Sequence, residues 1–273
     1  MSTKDGETPR TPFPRQFFLV VMFEFFERGA YYGMMSVLSI YLTDVLNFAK
    51  EDVGAIKGII QPLLYFLPII SGAMADRFGY RRTLMLAFAL LGTGYFLTSQ
   101  VTDYALVFGA LVVMGIGAGT FKPVISGSIA RRTDSSNSTL GFGIFYWTIN
   151  LGAFLFPLIL VPFLKNNVGW DWVIIASAIC TGAMLLPTLV GYREPPLPED
   201  RAGPGKDRAS LLQTLANAFE IVYSPLVLLH HWRHRSGTGR LVVLLLIGAC
   251  LGVGGWLFAQ HPVASQVLNS RGY

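Results

Sequence analysis

Apolar residues run in long blocks along this chain, and the polar ones gather between them. The blocks lie near 16–44, 53–75, 82–100, 104–130, 140–164, 170–191 and 240–258. Each is close to the roughly 20 residues that a helix needs to cross a hydrocarbon core of about 30 Å. The pattern predicts an all-α membrane protein. Its parts are a cytoplasmic tail at 1–15, an N-terminal six-helix bundle at 16–192, a cytoplasmic linker with an amphipathic helix at 193–239, and a seventh transmembrane helix within 240–273. The tail is rich in Thr, Pro and Lys/Arg and is expected to stay disordered until the first span begins. The first block is too long for a removable signal peptide, lacks a small-residue cleavage pattern, and precedes further spans, so it is retained.

Composition agrees: 52% of the 273 residues are hydrophobic and 14% charged, and the mean hydropathy is +0.50. A soluble domain of this length would need more charge to cover its surface. Lys and Arg are unevenly placed. One set of loops holds Lys4, Arg10, Arg15, Arg77, Arg81, Arg82, Arg131, Arg132, Arg193 and the basic residues of the linker, while the other holds little beyond Lys50, Lys57 and Lys165. Basic loops stay inside, so the N-terminus is read as cytoplasmic, in a plasma or bacterial inner membrane. A seventh span would place the C-terminus outside. The net charge of +5 reflects this asymmetry and calls for no nucleic-acid partner. Cys180 and Cys250 fall in apolar blocks without C-x-x-C spacing and read as packing residues. His230, His231 and His234 stand among arginines; a cationic patch against anionic lipid heads is favoured over a metal site, and no metal or other cofactor is expected.

Four ionisable residues interrupt the apolar blocks: Glu24, Glu27 and Arg28 in the first, Lys122 in the fourth. Each would cost at least about 2.5 kcal/mol facing lipid at the bilayer centre, so each should face protein or water. The spacing i, i+3, i+4 puts the first three on one helical face, where they can pair, with Lys122 as a fourth member. A purely structural ion-pair network is disfavoured, because buried pairs stabilise poorly compared with apolar packing. A carboxylate beside two cations can exchange a proton for a partner when a ligand carboxylate engages the cation. Tyr31, Tyr32, Tyr65 and Asn150 add hydrogen-bonding groups suited to a polar ligand. No Ser/His/Asp, Cys/His or metal-ligand constellation is assembled, so an enzyme is not expected. "GIGAG", Gly115 to Gly119, lacks the Gly-Lys-Ser/Thr ending of a phosphate loop and reads as a small-x-x-x-small helix contact. Pro62, Pro68, Pro123, Pro157 and Pro162 are expected to bend helices.

The motifs resemble the proton-coupled oligopeptide transporters of the major facilitator superfamily. "EFFER" matches that family's E-x-x-E-R, followed by "YYGM"; "GAMADRFGYRR" looks like the superfamily's loop signature between helices two and three; "FKP" matches the fourth-helix lysine; "FGIFYWTINLGAF" is similar to the fifth-helix signature. The resemblance covers about residues 16 to 195. It implies alternating-access symport of di- and tripeptides with protons across the membrane. Glu24, Glu27, Arg28 and Lys122 would couple the proton, while Arg28, Tyr31, Tyr32, Tyr65, Lys122 and Asn150 would bind substrate. Asp76, Arg77, Gly79, Arg81 and Arg82 would form the cytoplasmic gate, although a tight turn with basic flanks also follows from topology alone.

Two departures keep other readings open. Met35 stands where many bacterial relatives carry an arginine, which motivates nitrate or another small organic anion as cargo. The family folds as two six-helix bundles, and the second is expected to be absent here; "GWLFAQHP" offers Trp256 and Gln260 without the helix-seven acid. A truncated transport-dead or sensing membrane protein is therefore the third reading.

Overall fold

The computed structural model describes residues 11–196. The amphipathic linker helix, the histidine cluster and the seventh span, as well as Cys250, Trp256 and Gln260, lie outside the described residues.

Helix α1 spans Arg15–Ile40 and runs on as a π-helical turn, Tyr41–Val45; α2 is Lys50–Phe78, α3 Tyr80–Gln100 and α4 Tyr104–Ala130. Helix α5, Ser138–Leu155, passes through a second π turn, Phe156–Leu160, into α6, Val161–Asn167. The last rod among the described residues is α7, Trp170–Ala183, with α8, Leu185–Val190, after a one-residue break. Each long rod ends within a few residues of its apolar block. At the start of α4 the Asp103 carboxylate accepts from the amides of Ala105 and Leu106, a side-chain N-cap for donors that have no intrahelical partner.

Five of these rods, Lys50–Phe78, Tyr80–Gln100, Tyr104–Ala130, Ser138–Asn167 and Trp170–Val190, are long and apolar enough to cross a membrane. Helix α1 has the length, 26 residues, but not the apolarity. Glu24, Glu27 and Arg28 sit at its middle, and all three are buried against protein. The tail also departs from expectation, because residues 11–14 are held in place. The Asn137 amide donates to the Thr11 carbonyl at 2.9 Å, and the Phe13 ring stacks on Phe17 at 4.3 Å.

The core fills the space between α1, α3 and α4. Phe23, Phe88 and Phe121, one from each, are fully buried, with successive ring centroids 5.3 and 5.4 Å apart. Small residues let the backbones approach. A Cβ at Gly119 would stand 2.7 Å from Leu67 on α2, and one at Gly117 would stand 2.7 Å from the Leu91 nitrogen on α3. The "GIGAG" run thus serves two helix contacts, one on each side. Polar cross-links add direction: the Ser71 hydroxyl donates to the Gly119 carbonyl at 3.1 Å, and Ser177 on α7 donates to the Ala30 carbonyl of α1 at 3.0 Å. Pro157 lies in the second π turn and Pro162 in the first turn of α6, so both fall where the rod departs from regular α-helix.

Candidate functional site

Glu24, Glu27 and Arg28 share the inward face of α1, as the i, i+3, i+4 spacing requires, and none exposes more than 4% of its surface. The Arg28 guanidinium straddles Glu27. Its Nη2 donates to Glu27 Oε1 at 2.7 Å, and its Nε donates to Glu27 Oε2. Glu24 Oε1 lies 3.6 Å from the same Nε. One cation therefore stands between two buried carboxyl groups. Lys122 does not complete it as a close ion pair. Its side chain is exposed and its ammonium lies 5.9 Å from the centre of the Tyr65 ring, so Glu24 feels that charge only at longer range. The second π turn presses the Phe156 ring onto Gly29, beside Arg28; a Cβ there would overlap the ring.

A cavity of about 220 Å³ opens next to this cluster. Arg28, Tyr31, Tyr32, Tyr65 and Lys122 all line it, together with Gln61. Tyr31 is buried and lies 5.1 Å beneath the guanidinium of Arg28, while Tyr32 meets it edge to face at 5.3 Å. Tyr65, by contrast, is 72% exposed, which sets it at the open side. Gln61 was not among the residues picked from sequence. It precedes Tyr65 by one helical turn, and that i, i+4 relation is the signal that finds it.

Asn150 is not brought to this cavity. It is exposed, and its amide donates to the Tyr146 carbonyl of its own helix at 2.8 Å. The buried residues of α5 are Gly141, Phe145, Thr148 and Gly152, a face that packs on α1 at Phe25 and Gly29. Two residues from Gly152, Asn150 is turned about 200° away from that contact. Met35 is half-buried and packs on the core instead of lining the cavity.

A second polar cluster occupies one end of the bundle. The chain reverses between α2 and α3 at Gly79, whose φ of 97° suits glycine. Asp76 accepts from Arg131 Nη2 at 2.8 Å, and the Arg131 guanidinium lies 4.3 Å from the Tyr80 ring centre. Glu194, beyond α8, caps α3: its two oxygens accept from the amides of Tyr80 and Arg81, each at 2.9 Å. Arg81 in turn donates to the carbonyls of Thr188 and Leu189. Asp76, Gly79, Arg81 and Arg82 line one cavity of about 690 Å³ with Arg131 and Glu194. Arg77 stands apart from that lining, its guanidinium 5.7 Å from the ring of Phe78. The segment after α8 is fastened further. Tyr192 shares a 2.6 Å hydrogen bond with Ser128 and lies under Arg132 at 4.8 Å, and burial raises its phenol above the usual pKa. Arg131, Glu194 and Tyr192 were missed from sequence because their partners are 55 to 114 residues distant.

Known proteins share both the fold and the sequence pattern. The chain is 31% identical over 183 residues to dipeptide and tripeptide permease B of Aliivibrio fischeri (strain MJ11), covering 66% of this chain and 36% of that protein. It is 29% identical to dipeptide and tripeptide permease A of Klebsiella pneumoniae (strain 342), with the same coverage. The matched region thus spans little more than a third of these relatives' length. Among solved structures, the POT family transporter PepTSo, crystallised in meso, superposes with a TM-score of 0.61 at 25% identity, covering 71% of this chain and 41% of that one. An auto-inhibited POT family peptide transporter gives 0.59 at 27% identity, covering 68% and 39%. The model of the Major Facilitator Superfamily matches residues 17–270, nearly the whole chain. This multi-pass chain, whose described residues form helices and no strand, belongs to the Major Facilitator Superfamily.

Proposed function

We propose that this chain works in proton-coupled symport of di- and tripeptides by alternating access. The observation that carries the reading is the cavity whose lining Arg28 is also the cation shared by Glu24 and Glu27. A cargo carboxylate entering the cavity competes for that guanidinium. When Arg28 turns to the cargo, the glutamates lose the one close cation they have among the described residues, and a proton on one of them restores balance. Cargo and proton then bind together, which is the coupling that symport requires. Tyr31, Tyr32, Gln61 and Tyr65 supply hydrogen-bonding groups with apolar bodies, suited to a small peptide. Lys122 at the open side offers a further cation to a carboxylate terminus. The names of the permease relatives support peptides as the cargo class.

In this reading the end carrying Arg77, Arg81, Arg82, Arg131, Arg132 and Arg193 faces the cytoplasm, and the N-terminus with it. The Asp76–Arg131 pair and the Glu194 cap hold that end together as part of the gate. No bond is broken or made, so the protein is a carrier and not an enzyme, and the proton gradient is its energy source. The test is uptake of a fluorescent dipeptide into proteoliposomes with an inside-alkaline gradient. Uptake that collapses on adding a protonophore is expected; folded protein that takes up nothing under any gradient overturns the proposal. Competition with nitrate separates a small-anion carrier, which unlabelled dipeptides would leave unaffected.

A further inference from the structure

Buried hydroxyls in the bundle have partners almost throughout. Thr98, Thr120, Thr148, Thr181 and Thr188 each donate to a carbonyl one turn back, while Tyr41 donates to Asp171 at 2.8 Å. Tyr95, on α3, is the exception. It is wholly buried, and its hydroxyl is the one buried side-chain polar atom among the described residues without a hydrogen-bond partner. Leaving a phenol dry and unpaired is unfavourable, so the group calls for a reason.

The surroundings of Tyr95 indicate one. It interacts electrostatically with Glu27, Arg28 and Tyr31 on α1, and with Cys180 on α7. The charged residue of α4, Lys122, stands at the open side over Tyr65. Tyr95 is also fixed in place, because at its neighbour Gly94 a Cβ would stand 2.5 Å from the Met114 backbone nitrogen, so α3 and α4 are in backbone contact there. Here Arg28 donates to each oxygen of Glu27, and the phenol makes no hydrogen bond.

We infer that Tyr95 is a positioning residue for Glu27, its phenol donating a hydrogen bond to the Glu27 carboxylate in the state where Arg28 has turned to a carboxylate in the cavity. The inference rests on the reading of that cavity as a carboxylate site. The phenol keeps its proton throughout. It replaces one of the two N–H donors that Glu27 loses, and so holds the carboxylate in register and moderates how readily it takes a proton.

The test is Tyr95→Phe in the full chain, which keeps the ring and removes the hydroxyl. Dipeptide counterflow, which needs no net proton movement, is expected to stay within about twofold of wild type. The pH profile of proton-driven uptake is expected to move alkaline by about one unit, the size of one hydrogen bond to a charged group. An unchanged profile overturns the inference. Melting of Tyr95→Phe should match or exceed wild type, since no bond is lost in the state described; a marked loss overturns it as well. A third readout does not depend on peptide transport. Infrared difference spectra on adding acetate, with Glu27→Gln assigning the band, should show a Glu27 carboxyl band displaced in Tyr95→Phe. Identical bands overturn the role of Tyr95, whereas a wild type that moves no dipeptide overturns only the peptide reading.

Discussion

The carboxylate of Asp76 on α2 and the guanidinium of Arg131 at the end of α4 meet at 2.8 Å across 55 residues of sequence. Both side chains are largely shielded, and Arg131 also covers the ring of Tyr80. Arg131→Ala removes an ion pair and a cation–π contact together, for an expected loss of about 1–2 kcal/mol. Asp76→Asn removes the charge alone and should lose about half as much. Thermal unfolding of the two variants in one detergent checks the order; equal losses would show that the Tyr80 contact contributes nothing.

Glu194 joins the chain after α8 to the first turn of α3, where two amides have no intrahelical partner. Glu194→Ala should lower stability by about 1 kcal/mol and raise hydrogen exchange at Tyr80 and Arg81 first. Gly79→Ala attacks the same joint from the other side. Its Cβ would stand 2.7 Å from Glu194 Oε1, at a φ that an alanine resists. The two variants should not add, because either one alone releases the carboxylate.

The two glutamates of α1 are not equivalent. Glu27 holds Arg28 through two hydrogen bonds, whereas Glu24 reaches the same nitrogen only at 3.6 Å. Glu27→Gln should therefore destabilise by about 3 kcal/mol, since it leaves a buried guanidinium poorly matched, and Glu24→Gln by less. Proton-driven uptake should fail in both, with counterflow surviving better in Glu24→Gln. A Glu24 variant as unstable as the Glu27 one would contradict the geometry.

Much of this was legible in the chain. The long apolar blocks mark the helices because a membrane-length helix needs nothing more than length and apolarity, and the charged triad declares itself by interrupting one of them. The spacing of Glu24, Glu27 and Arg28 also fixes their shared face. Distances between helices were not legible. Lys122 looked like the cation of the glutamates, yet Arg28 alone is close, and Lys122 reaches Tyr65 instead. Asn150 carried the right chemistry on a helix whose packed face is set by Gly141, Thr148 and Gly152, so its direction followed from helix phase and not from its type. Glu194 looked like part of a linker, and only the fold brings it to α3.

Asp134, in the turn between α4 and α5, is a pH-sensitive joint outside the membrane-spanning rods. Its carboxylate accepts from the Ser136 hydroxyl at 2.6 Å and from the amides of Ser136 and Asn137, and these bonds hold its pKa below the usual value. A depressed folded pKa means that the stabilisation is fully present above the ordinary carboxylate range and is lost as pH falls through the lower folded value. Asp134→Asn should flatten the acid limb of the stability curve below about pH 4 by lowering neutral stability toward the wild type's acid value. A variant whose acid limb matches wild type would place the acid sensitivity elsewhere.

Two glycines on α5 give a test with its own control. A Cβ at Gly152 would stand 2.7 Å from the Phe25 carbonyl oxygen and 3.1 Å from the Gly29 nitrogen, so this is where α5 and α1 touch. Gly143, on the same helix, meets nothing within 4 Å. Gly143→Ala should be neutral or stabilise by about 0.5 kcal/mol, because alanine loses less freedom on entering a helix. Gly152→Ala must push the helices apart, with an expected loss of about 1–3 kcal/mol. The strain falls on the stretch of α1 that carries Glu27 and Arg28, so dipeptide affinity should drop along with stability. If Gly152→Ala melts like Gly143→Ala and binds peptide as wild type does, then the α1–α5 contact does not set the position of the charged cluster.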